Sequence, residues 1–337
     1  MKFAFMCREP GGKRGSIAII GSGAAGLAAA GYLACQGYEV NIYEKLPYAG
    51  GAMMFAIPTY KIPPDSVIEG VEDLRDRFSV KFFFKTKVFR SGQNRGDLGD
   101  DFVDRVESLE RVVEEHDAVL IATGAWHPTT VVRNVRNVAT VFEYLYLWRL
   151  RDEGLSPNLI PKGRKVVIIG ADLPVFEAAR RMLDYGSEEI YILYSSNVRE
   201  TPTSLHWMQH LSREGVKFIQ YTDIKRIIVE HDTAKALEYT EFDYKKSQYI
   251  TRVIDANLIM VSLGSRSTPP ALESSTDIGI DDTGKIIIDG QYRTKLEKVY
   301  ASGSVVLGLI YRLGTSFRDG MNAAKYIDIH LSRKRFL

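Results

Sequence analysis

The stretch SIAIIGSGAAGLAAAGYLACQGYEVNIYE, residues 16–44, decides the fold of this 337-residue chain. Its first six residues form a short β-branched run that ends in glycine, which predicts a buried parallel strand. The alanine-rich segment 24–36 predicts a helix that Gly37 ends, and EVNIYE at 39–44 predicts the next strand. The stretch is therefore a strand–helix–strand unit with a glycine turn at its start, the arrangement of dinucleotide-binding folds.

Three glycines mark the turn between the first strand and the helix. Gly21, Gly23 and Gly26 have the spacing G-x-G-x-x-G. The first permits the tight turn, the second lets the backbone approach a pyrophosphate, and the third lets the helix pack on the strand. The helix N-terminus offers unpaired N–H groups and a partial positive charge to phosphates. Glu44 ends the second strand, where a carboxylate can accept hydrogen bonds from both hydroxyls of an adenosine ribose. This order of elements favours a dinucleotide site over a Rossmann-like unit that binds nothing.

A second strand–helix–strand opening begins with KVVIIG at residues 165–170. An antiparallel meander is predicted for residues 225–255, because strand patterns follow one another there without helices. The last predicted strand is KVYASG at 298–303, and the final helix is predicted for 316–332. The sequence therefore predicts an α/β protein with two Rossmann-like dinucleotide-binding domains, the second inserted into the first. The first domain is assigned residues 1–125 and 286–337, and the inserted domain residues 126–285.

Composition excludes several classes of function. The chain is 45% hydrophobic and 26% charged with a net charge of +2, so no broad basic surface attracts nucleic acid. No apolar stretch reaches the roughly 18 residues that a membrane span needs. Residues 1–13 lack a secretory pattern, and we therefore expect a cytoplasmic protein. The two cysteines, Cys7 and Cys35, are too few for a disulfide scaffold and do not form a CxxC redox pair.

NAD would fit the first unit as well as FAD, and the residues that follow decide between them. PYAGGA at 47–52 places the pair Gly50–Gly51 where backbone can approach the diphosphate and flavin side of a long cofactor. The sequence GSGAAGLAAAGYLACQGYEVNIYEKLPYAGGAMMFAIPTYKIP resembles the FAD-binding opening of the glutamate-synthase small-subunit group, within the FAD-dependent pyridine nucleotide-disulfide oxidoreductase superfamily. DAVLIATG, KVVIIG, LIMVSLG and KVYASG follow in the order of that superfamily, which extends the resemblance over nearly the whole chain.

The resemblance implies contacts along the whole cofactor of a flavin-dependent oxidoreductase. At the adenosine end, Glu44 should meet the ribose and Val88 the adenine through its backbone. The three glycines of the first turn should meet the pyrophosphate. The helix starting near Thr315–Ser316 should aim its N-terminus at flavin N1 and the C2 carbonyl, where it stabilises negative charge. The remaining residues assigned to the cofactor site are Ser22, Ala25, Lys45, Gly50, Ala122, Thr123 and Gly124, with Gly51, Met53, Ile57 and Pro58 along the isoalloxazine and Gly303 and Ser304 at the ribitol.

The second glycine turn departs from the pattern of that superfamily. It reads Gly170-Ala171-Asp172-Leu173-Pro174-Val175, with aspartate where the second glycine is expected. Asp172 is ionised at neutral pH on its usual pKa of about 3.9, and it would repel a pyrophosphate. It can instead cap its own helix, with Pro174 in the first turn. Ser195 and Ser196 stand where NADPH-binding relatives place arginines. We therefore expect the inserted domain to keep its fold without a bound nucleotide, with residual NAD(P)H binding as the alternative.

Ser304 is a second departure, because most of the superfamily has aspartate after the glycine of the last strand. The heterodisulfide reductase A subunits also carry a small hydroxyl residue there, and the chain resembles their short relatives in sulfur oxidisers. This resemblance implies an electron-transfer subunit of a heterodisulfide reductase-like complex, a homodimer that exchanges electrons between FAD and iron–sulfur protein subunits. Two alternatives stay open: a stand-alone NAD(P)H-dependent FAD oxidoreductase, and a non-catalytic nucleotide-binding module.

Cys7 and Cys35 each have two interpretations. Cys35, near the end of the first helix, can be a small buried hydrophobe, and Cys7 can be incidental. A 4Fe–4S cluster normally needs four thiolates, so two cysteines would need a dimer that contributes two each, or non-cysteine ligands. The related A subunits carry a cluster near the flavin, and the resemblance therefore implies both cysteines as candidate iron–sulfur ligands. Near the last helix, Arg312, Arg318 and Asp319 are candidates for flavin-side or interface residues.

Overall fold

Two units divide the chain in the computed structural model. The first unit comprises Met1–His127 and Ser265–Leu337, and the second comprises Pro128–Gly264. The structure describes residues 1–132, 135–155, 160–195, 202–272, 277–308 and 313–334. The chain therefore leaves the first unit once and later returns to it, as an inserted domain requires.

The helices and strands alternate along most of the chain. In chain order the strands are β1 (Ser16–Ile20), β2 (Glu39–Tyr43), β3 (Lys81–Phe83), β4 (Thr86–Phe89), β5 (Arg105–Ser108), β6 (Ala118–Ile121), β7 (His127–Pro128), β8 (Val138–Thr140), β9 (Lys165–Ile169), β10 (Glu189–Ser195), β11 (Lys217–Tyr221), β12 (Asp223–Glu230), β13 (Thr233–Asp243), β14 (Gln248–Asp255), β15 (Leu258–Val261), β16 (Ser265–Arg266) and β17 (Val299–Ala301). The helices are α1 (Ala24–Cys35), α2 (Ala52–Phe55), α3 (Pro64–Asp76), α4 (Leu109–Glu115), α5 (Val141–Asp152), α6 (Leu173–Asp184), α7 (Pro202–Arg213), α8 (Ser304–Leu307) and α9 (Leu313–Lys334).

The first unit is built on a parallel sheet with the strand order β17-β6-β1-β2-β3. Ile17 and Ile19 of the central strand β1 are fully buried, because parallel strands of this kind have both faces covered. The carboxyl ends of parallel strands meet at one edge of a sheet. This topology therefore brings the residues after β1, β2, β6 and β17 together, which is where ligands bind in open α/β sheets.

Helix α1 packs closely on every side, which explains its alanine and glycine content. Ten of its twelve residues are buried. A Cβ on Gly31 would lie 2.2 Å from the carbonyl oxygen of Phe3, so the N-terminal arm crosses directly over the helix there. Phe3 is buried and stacks on Phe317 of α9. The N-terminal arm therefore belongs to the packing of the first unit.

The second unit repeats the parallel design with the strand order β11-β10-β9-β15-β8. An antiparallel sheet β12-β13-β14 follows, as predicted for residues 225–255. Thr140 caps α5 by accepting a hydrogen bond from the Glu143 N–H at 3.1 Å. The α/β class with two Rossmann-type units is thus confirmed. No helix among the described residues is long and apolar enough to cross a membrane.

Several boundaries differ from the sequence-based expectation. The chain returns to the first unit at Ser265, about twenty residues before the expected position 286. The reason is that Ala271, Ile278 and Ile286 pack in one buried cluster with Val299, a non-local contact that has no periodic signal. Helix α9 already includes Leu313.

Candidate functional site

The carboxyl edge of the first sheet gathers the predicted cofactor residues. Gly21 follows β1 with a φ of 99°, and a Cβ on it would lie 2.5 Å from the carbonyl oxygen of Ala122, which follows β6. Gly303 follows β17 with a φ of 76°, and its Cβ would lie 2.8 Å from the Cβ of Ala25. Glycine is required at both positions, because the turn is left-handed and the space for a side chain is taken. Residues from opposite ends of the chain therefore form one site.

The N-terminus of α1 is open toward this edge. Gly23 is its N-cap, no side chain caps the helix, and its first turn carries no acidic residue. A Cβ on Gly23 would meet nothing within 4 Å, whereas a Cβ on Gly26 would lie 2.0 Å from the carbonyl oxygen of Gly21. Gly26 thus serves packing, and Gly23 leaves free space before the helix. Free N–H groups with open space before them fit an anionic pyrophosphate.

Glu44 lies beside this turn as a buried carboxylate. Its Oε2 accepts hydrogen bonds from the N–H of Ser22 at 2.9 Å and from the Ser22 hydroxyl at 2.5 Å. Its Oε1 accepts from the N–H of Leu46 at 2.9 Å. A carboxylate has about four acceptor positions, so one remains, and rotation of the Ser22 hydroxyl releases a second. Both hydroxyls of a ribose can be received in this way.

The segment after β2 folds back onto the turn. The N–H of Gly50 donates to the carbonyl oxygen of Ser22 at 2.9 Å. Gly51 has a φ of 52°, and a Cβ on it would lie 3.0 Å from the Cα of Gly23. The glycine pair therefore lies against the turn, and its approach to the diphosphate and flavin side of the cofactor stays a prediction. Met53 is only 1% exposed, and its position along the isoalloxazine stays a prediction.

The flanking residues on this edge divide into buried and accessible positions. Pro58 and Val88 are buried and Ile57 is half-buried.

Thr268 holds the turn after β6: its N–H donates to the carbonyl oxygen of Gly124 at 3.0 Å. The hydroxyl of Thr123 is buried and has no hydrogen-bond partner within the described part of the chain. An orphaned buried hydroxyl beside the glycine turn fits a site that a polar ligand completes.

Asp319 is a residue of this site whose role the sequence left undecided. Its Oδ2 accepts a hydrogen bond from the N–H of Gly303 at 2.5 Å, and its Oδ1 accepts from the hydroxyl of Tyr292 at 2.9 Å. It therefore fixes the turn after β17 from helix α9. Asp319 lies about two turns inside α9 and fifteen residues after Ser304. Local sequence patterns therefore could not predict its contact with Gly303.

Helix α9 crosses the first turn of α1 at very close range. A Cβ on Gly320 would lie 2.1 Å from the carbonyl oxygen of Ala25. Thr315 and Ser316 lie in the first described turns of α9, just before this crossing. The crossing thus brings the N-terminal part of α9 close to the first turn of α1, and the direction of the α9 N-terminus at the flavin stays a prediction. Arg312 lies outside the described residues, and Arg318 is exposed on α9.

In the equivalent turn of the second unit, a side chain caps the helix N-terminus. Asp172 is the N-cap of α6, and its Oδ1 accepts a hydrogen bond from the N–H of Val175 at 3.1 Å. Its Oδ2 accepts from the hydroxyl of Ser262 at 2.9 Å. Burial raises the pKa of the Asp172 carboxyl, and these hydrogen bonds oppose the rise. The helix end is therefore satisfied from within the chain, as predicted. Ser195 ends β10, and Ser196 lies outside the described residues.

Cys7 and Cys35 form a disulfide bond with each other. This corrects the expectation that they ligate iron, because a sulfur in a disulfide is not a thiolate and cannot serve as a cluster ligand. No group of three or more histidine, cysteine, aspartate or glutamate residues that could hold a metal occurs in the described ranges. The bond instead ties the N-terminal arm to the end of α1.

Comparison with known proteins decides the family. The model of the family described as pyridine nucleotide-disulphide oxidoreductase matches residues 15–325. The chain belongs to this family. Membership makes it a flavin-dependent oxidoreductase, and both the family and the open glycine turn of the first unit support FAD as its cofactor.

Relatives of this family member include subunits of larger enzymes. A chain of Cereibacter sphaeroides described as a glutamate synthase (NADPH) small chain is 28% identical, over 94% of this chain and 77% of its own length. The NADP(+)-dependent formate dehydrogenase subunit beta of Moorella thermoacetica is 25% identical, over 94% of this chain and 44% of its own length. Among solved structures, FprA of Mycobacterium tuberculosis has a TM-score of 0.73 at 15% identity, over 96% of this chain and 86% of that one. That similarity shows a shared fold.

Proposed function

We propose that this flavoprotein is an FAD-containing electron-transfer subunit that exchanges electrons with iron–sulfur partner proteins and does not use NAD(P)H. The observation that carries the proposal is the position of Asp172 at the start of α6, where a nicotinamide dinucleotide would place its pyrophosphate. In the first unit the same position is Gly23, which leaves the helix end open.

Electrostatics separates the two helix ends. A helix N-terminus carries a partial charge of roughly +0.5 and attracts a pyrophosphate through unpaired N–H groups. The carboxylate of Asp172 already accepts from Val175, so that end has its own anion. A pyrophosphate placed there would lose this N–H donor and meet a negative charge at short range. Ser195 adds no positive charge at the end of β10 for a 2′-phosphate.

The first unit supplies what FAD needs from the protein. FAD bound there supplies hydride and electron-transfer chemistry at its isoalloxazine ring. Gly23 offers free N–H groups to the pyrophosphate, and Glu44 receives the ribose hydroxyls. Asp319 fixes the Gly303 turn, and the N-terminal end of α9 would stabilise negative charge on a bound flavin ring by its dipole.

Partner subunits are the second part of the proposal. The relatives include a small chain of glutamate synthase and a beta subunit of formate dehydrogenase, both named as parts of larger enzymes. Ser304 stands where most of the superfamily has aspartate, a feature shared with the heterodisulfide reductase A subunits. We propose that the chain acts as a homodimer in a heterodisulfide reductase-like complex of sulfur oxidation.

One titration tests the central claim. Anaerobic protein reconstituted with FAD is titrated with NADH, with NADPH and with dithionite while the flavin absorption is followed. We expect dithionite to bleach the flavin bands and both nicotinamides to leave them unchanged over minutes. Rapid bleaching by stoichiometric NADPH would overturn the proposal, and the variant Asp172→Gly shows whether the carboxylate is the block.

A stand-alone NADPH-dependent oxidoreductase is the second candidate. The Cereibacter relative favours this candidate, because its name specifies NADPH and its match covers 94% of this chain. The same titration separates the two candidates. A third outcome, in which no reductant changes the flavin spectrum, would favour a nucleotide-binding module without turnover.

A further inference from the structure

Two buried lysines stand next to the residues that should hold the adenosine half of FAD. Lys45 directly follows Glu44, and Lys87 directly precedes Val88. The side chains of Lys45 and Lys87 are 15% and 7% exposed. A buried ammonium group costs several kcal/mol unless an anion and further hydrogen bonds compensate it. Their partners therefore decide how these two segments are held.

Asp100 is the partner that the two lysines share. Its Oδ1 lies 3.3 Å from the Nζ of Lys45, and its Oδ2 lies 2.5 Å from the Nζ of Lys87. The Oδ2 also accepts from the N–H of Asp97 at 3.0 Å. One carboxylate thus bridges the segment that ends β2 and the strand β4. Burial lowers the pKa of the Lys45 ammonium, and Asp100 is the first of the groups that oppose this shift.

The rest of the cluster anchors the loop that carries Asp100. Lys87 also donates to Asp97 at 3.0 Å and to the carbonyl oxygen of Arg95 at 2.8 Å. Lys45 donates to the carbonyl oxygen of Leu98 at 2.6 Å. Both ammonium groups therefore hold the loop 95–100 in place by hydrogen bonds.

We propose that Asp100 is a positioning residue for the adenosine half of FAD, because it locks the Glu44 and Val88 segments at a fixed separation. The proposal rests on the FAD site of the proposed function. Glu44 must face a ribose while the backbone at Val88 faces the adenine, and the two segments belong to different strands. Two backbone hydrogen bonds also join these segments: the N–H of Thr86 donates to the carbonyl oxygen of Glu44 at 3.0 Å, and the N–H of Lys85 donates to that of Leu46 at 3.3 Å.

The test compares Asp100→Asn with Asp101→Asn in the full chain. Asp101 is the next residue, is exposed, and undergoes the same change of charge. The dissociation constant for FAD is measured on apoprotein by fluorescence quenching, together with AMP competition, the far-ultraviolet circular dichroism and the flavin midpoint potential. We expect Asp100→Asn to weaken FAD and AMP about tenfold or more, with an unchanged potential in the fraction that binds. Asp101→Asn should match the wild type.

Two further variants keep the outcome decisive. Asp100→Glu should recover part of the affinity, and Lys45→Gln should weaken FAD in the same direction while leaving the Lys87 contacts in place. If Asp100→Asn lowers the stability of the apoprotein but leaves the FAD and AMP affinities unchanged, the residue is merely structural and the inference is wrong. If the wild-type apoprotein does not bind FAD, the proposed function itself fails.

Discussion

The hydroxyl of Ser262 donates a hydrogen bond of 2.9 Å to the carboxylate of Asp172, ninety positions away in the sequence. The first unit has a related pair, in which the hydroxyl of Ser22 donates to Glu44. In the first unit the carboxylate stays at the end of β2 and the helix start is open. In the second unit the carboxylate sits at the helix start itself. A serine–carboxylate pair thus lies beside an uncapped helix N-terminus in the first unit, whereas in the second unit the carboxylate of the pair is itself the helix cap.

Asp172→Asn tests the electrostatics of this closed end. The folded-state pKa of Asp172 is raised, mainly by burial, so the folded protein holds its proton to higher pH than the unfolded chain does. Its contribution to stability is therefore complete below the unfolded pKa of about 3.9 and is lost as pH rises through the folded value. Asparagine caps helices about as well as aspartate and does not titrate. We expect the stability of Asp172→Asn relative to the wild type to increase with pH across that window.

Urea unfolding from about pH 4 to about pH 7 measures this difference. Asp232→Asn is the control, because Asp232 is an exposed aspartate of the same unit. Ser262→Ala should lower the free energy of unfolding by about 1–2 kcal/mol, since it removes one donor from a buried carboxylate. A constant offset between Asp172→Asn and the wild type at every pH would contradict the raised pKa.

Gly23→Ala and Gly26→Ala should separate ligand binding from folding. At Gly23 a Cβ meets nothing within 4 Å, so the apoprotein should keep its stability within about 0.5 kcal/mol. That Cβ would nevertheless occupy the space before the helix, and we expect the dissociation constant for FAD to rise about tenfold or more. At Gly26 the Cβ would lie 2.0 Å from a backbone oxygen, so the apoprotein itself should lose about 2–3 kcal/mol. Thermal unfolding and FAD titration of both variants check the contrast.

Local spacing is what made much of this site predictable. The glycines at 21, 23 and 26 and the acid at 44 are close in sequence, and each is tied to a neighbouring strand or helix end by short-range geometry. The cap at Asp172 was predictable for the same reason, because its acceptor contact reaches only three residues to Val175. Such features depend on backbone dihedrals and helix ends, which the local sequence largely determines.

Contacts between distant segments were not predictable in this way. Asp319 reaches Gly303 from inside a helix, and Ile278 joins a cluster with Val299. The pairing of Cys7 with Cys35 depends on where the N-terminal arm crosses α1. Hydrophobic periodicity carries no information on which distant elements meet. The return of the chain to the first unit at Ser265 could not be predicted for the same reason.

Reduction of the Cys7–Cys35 disulfide should loosen the N-terminal arm. The bond closes a chain segment with a sequence separation of 28, and a constraint of that size contributes about 3.5 kcal/mol in the chain-entropy model. Thermal unfolding of Cys7→Ser should match that of the reduced wild type, and both should unfold at lower temperature than the oxidised wild type. Protease cleavage near residues 7–13 should appear first. Identical melting of oxidised wild type and Cys7→Ser would show that the bond adds nothing to stability.

Gly320→Ala and Gly314→Ala should change stability in opposite directions, although both lie in α9. A Cβ on Gly320 would lie 2.1 Å from the carbonyl oxygen of Ala25 and 2.7 Å from its carbonyl carbon. Helix α9 would therefore have to move away from the first turn of α1, at a cost of about 2–3 kcal/mol. A Cβ on Gly314 meets nothing within 4 Å, and alanine there should add up to about 1 kcal/mol through helix propensity.

The displaced helix in Gly320→Ala should also weaken the cofactor site. Asp319 precedes Gly320 and holds the N–H of Gly303, so a shift of α9 pulls on the turn after β17 and on the helix start near Thr315. We expect a higher dissociation constant for FAD in Gly320→Ala and a wild-type value in Gly314→Ala, measured on refolded apoprotein by fluorescence quenching. Weakened FAD binding in both variants would mean that the start of α9 tolerates no added methyl group. Unchanged binding in both would mean that the helix crossing supports the fold alone.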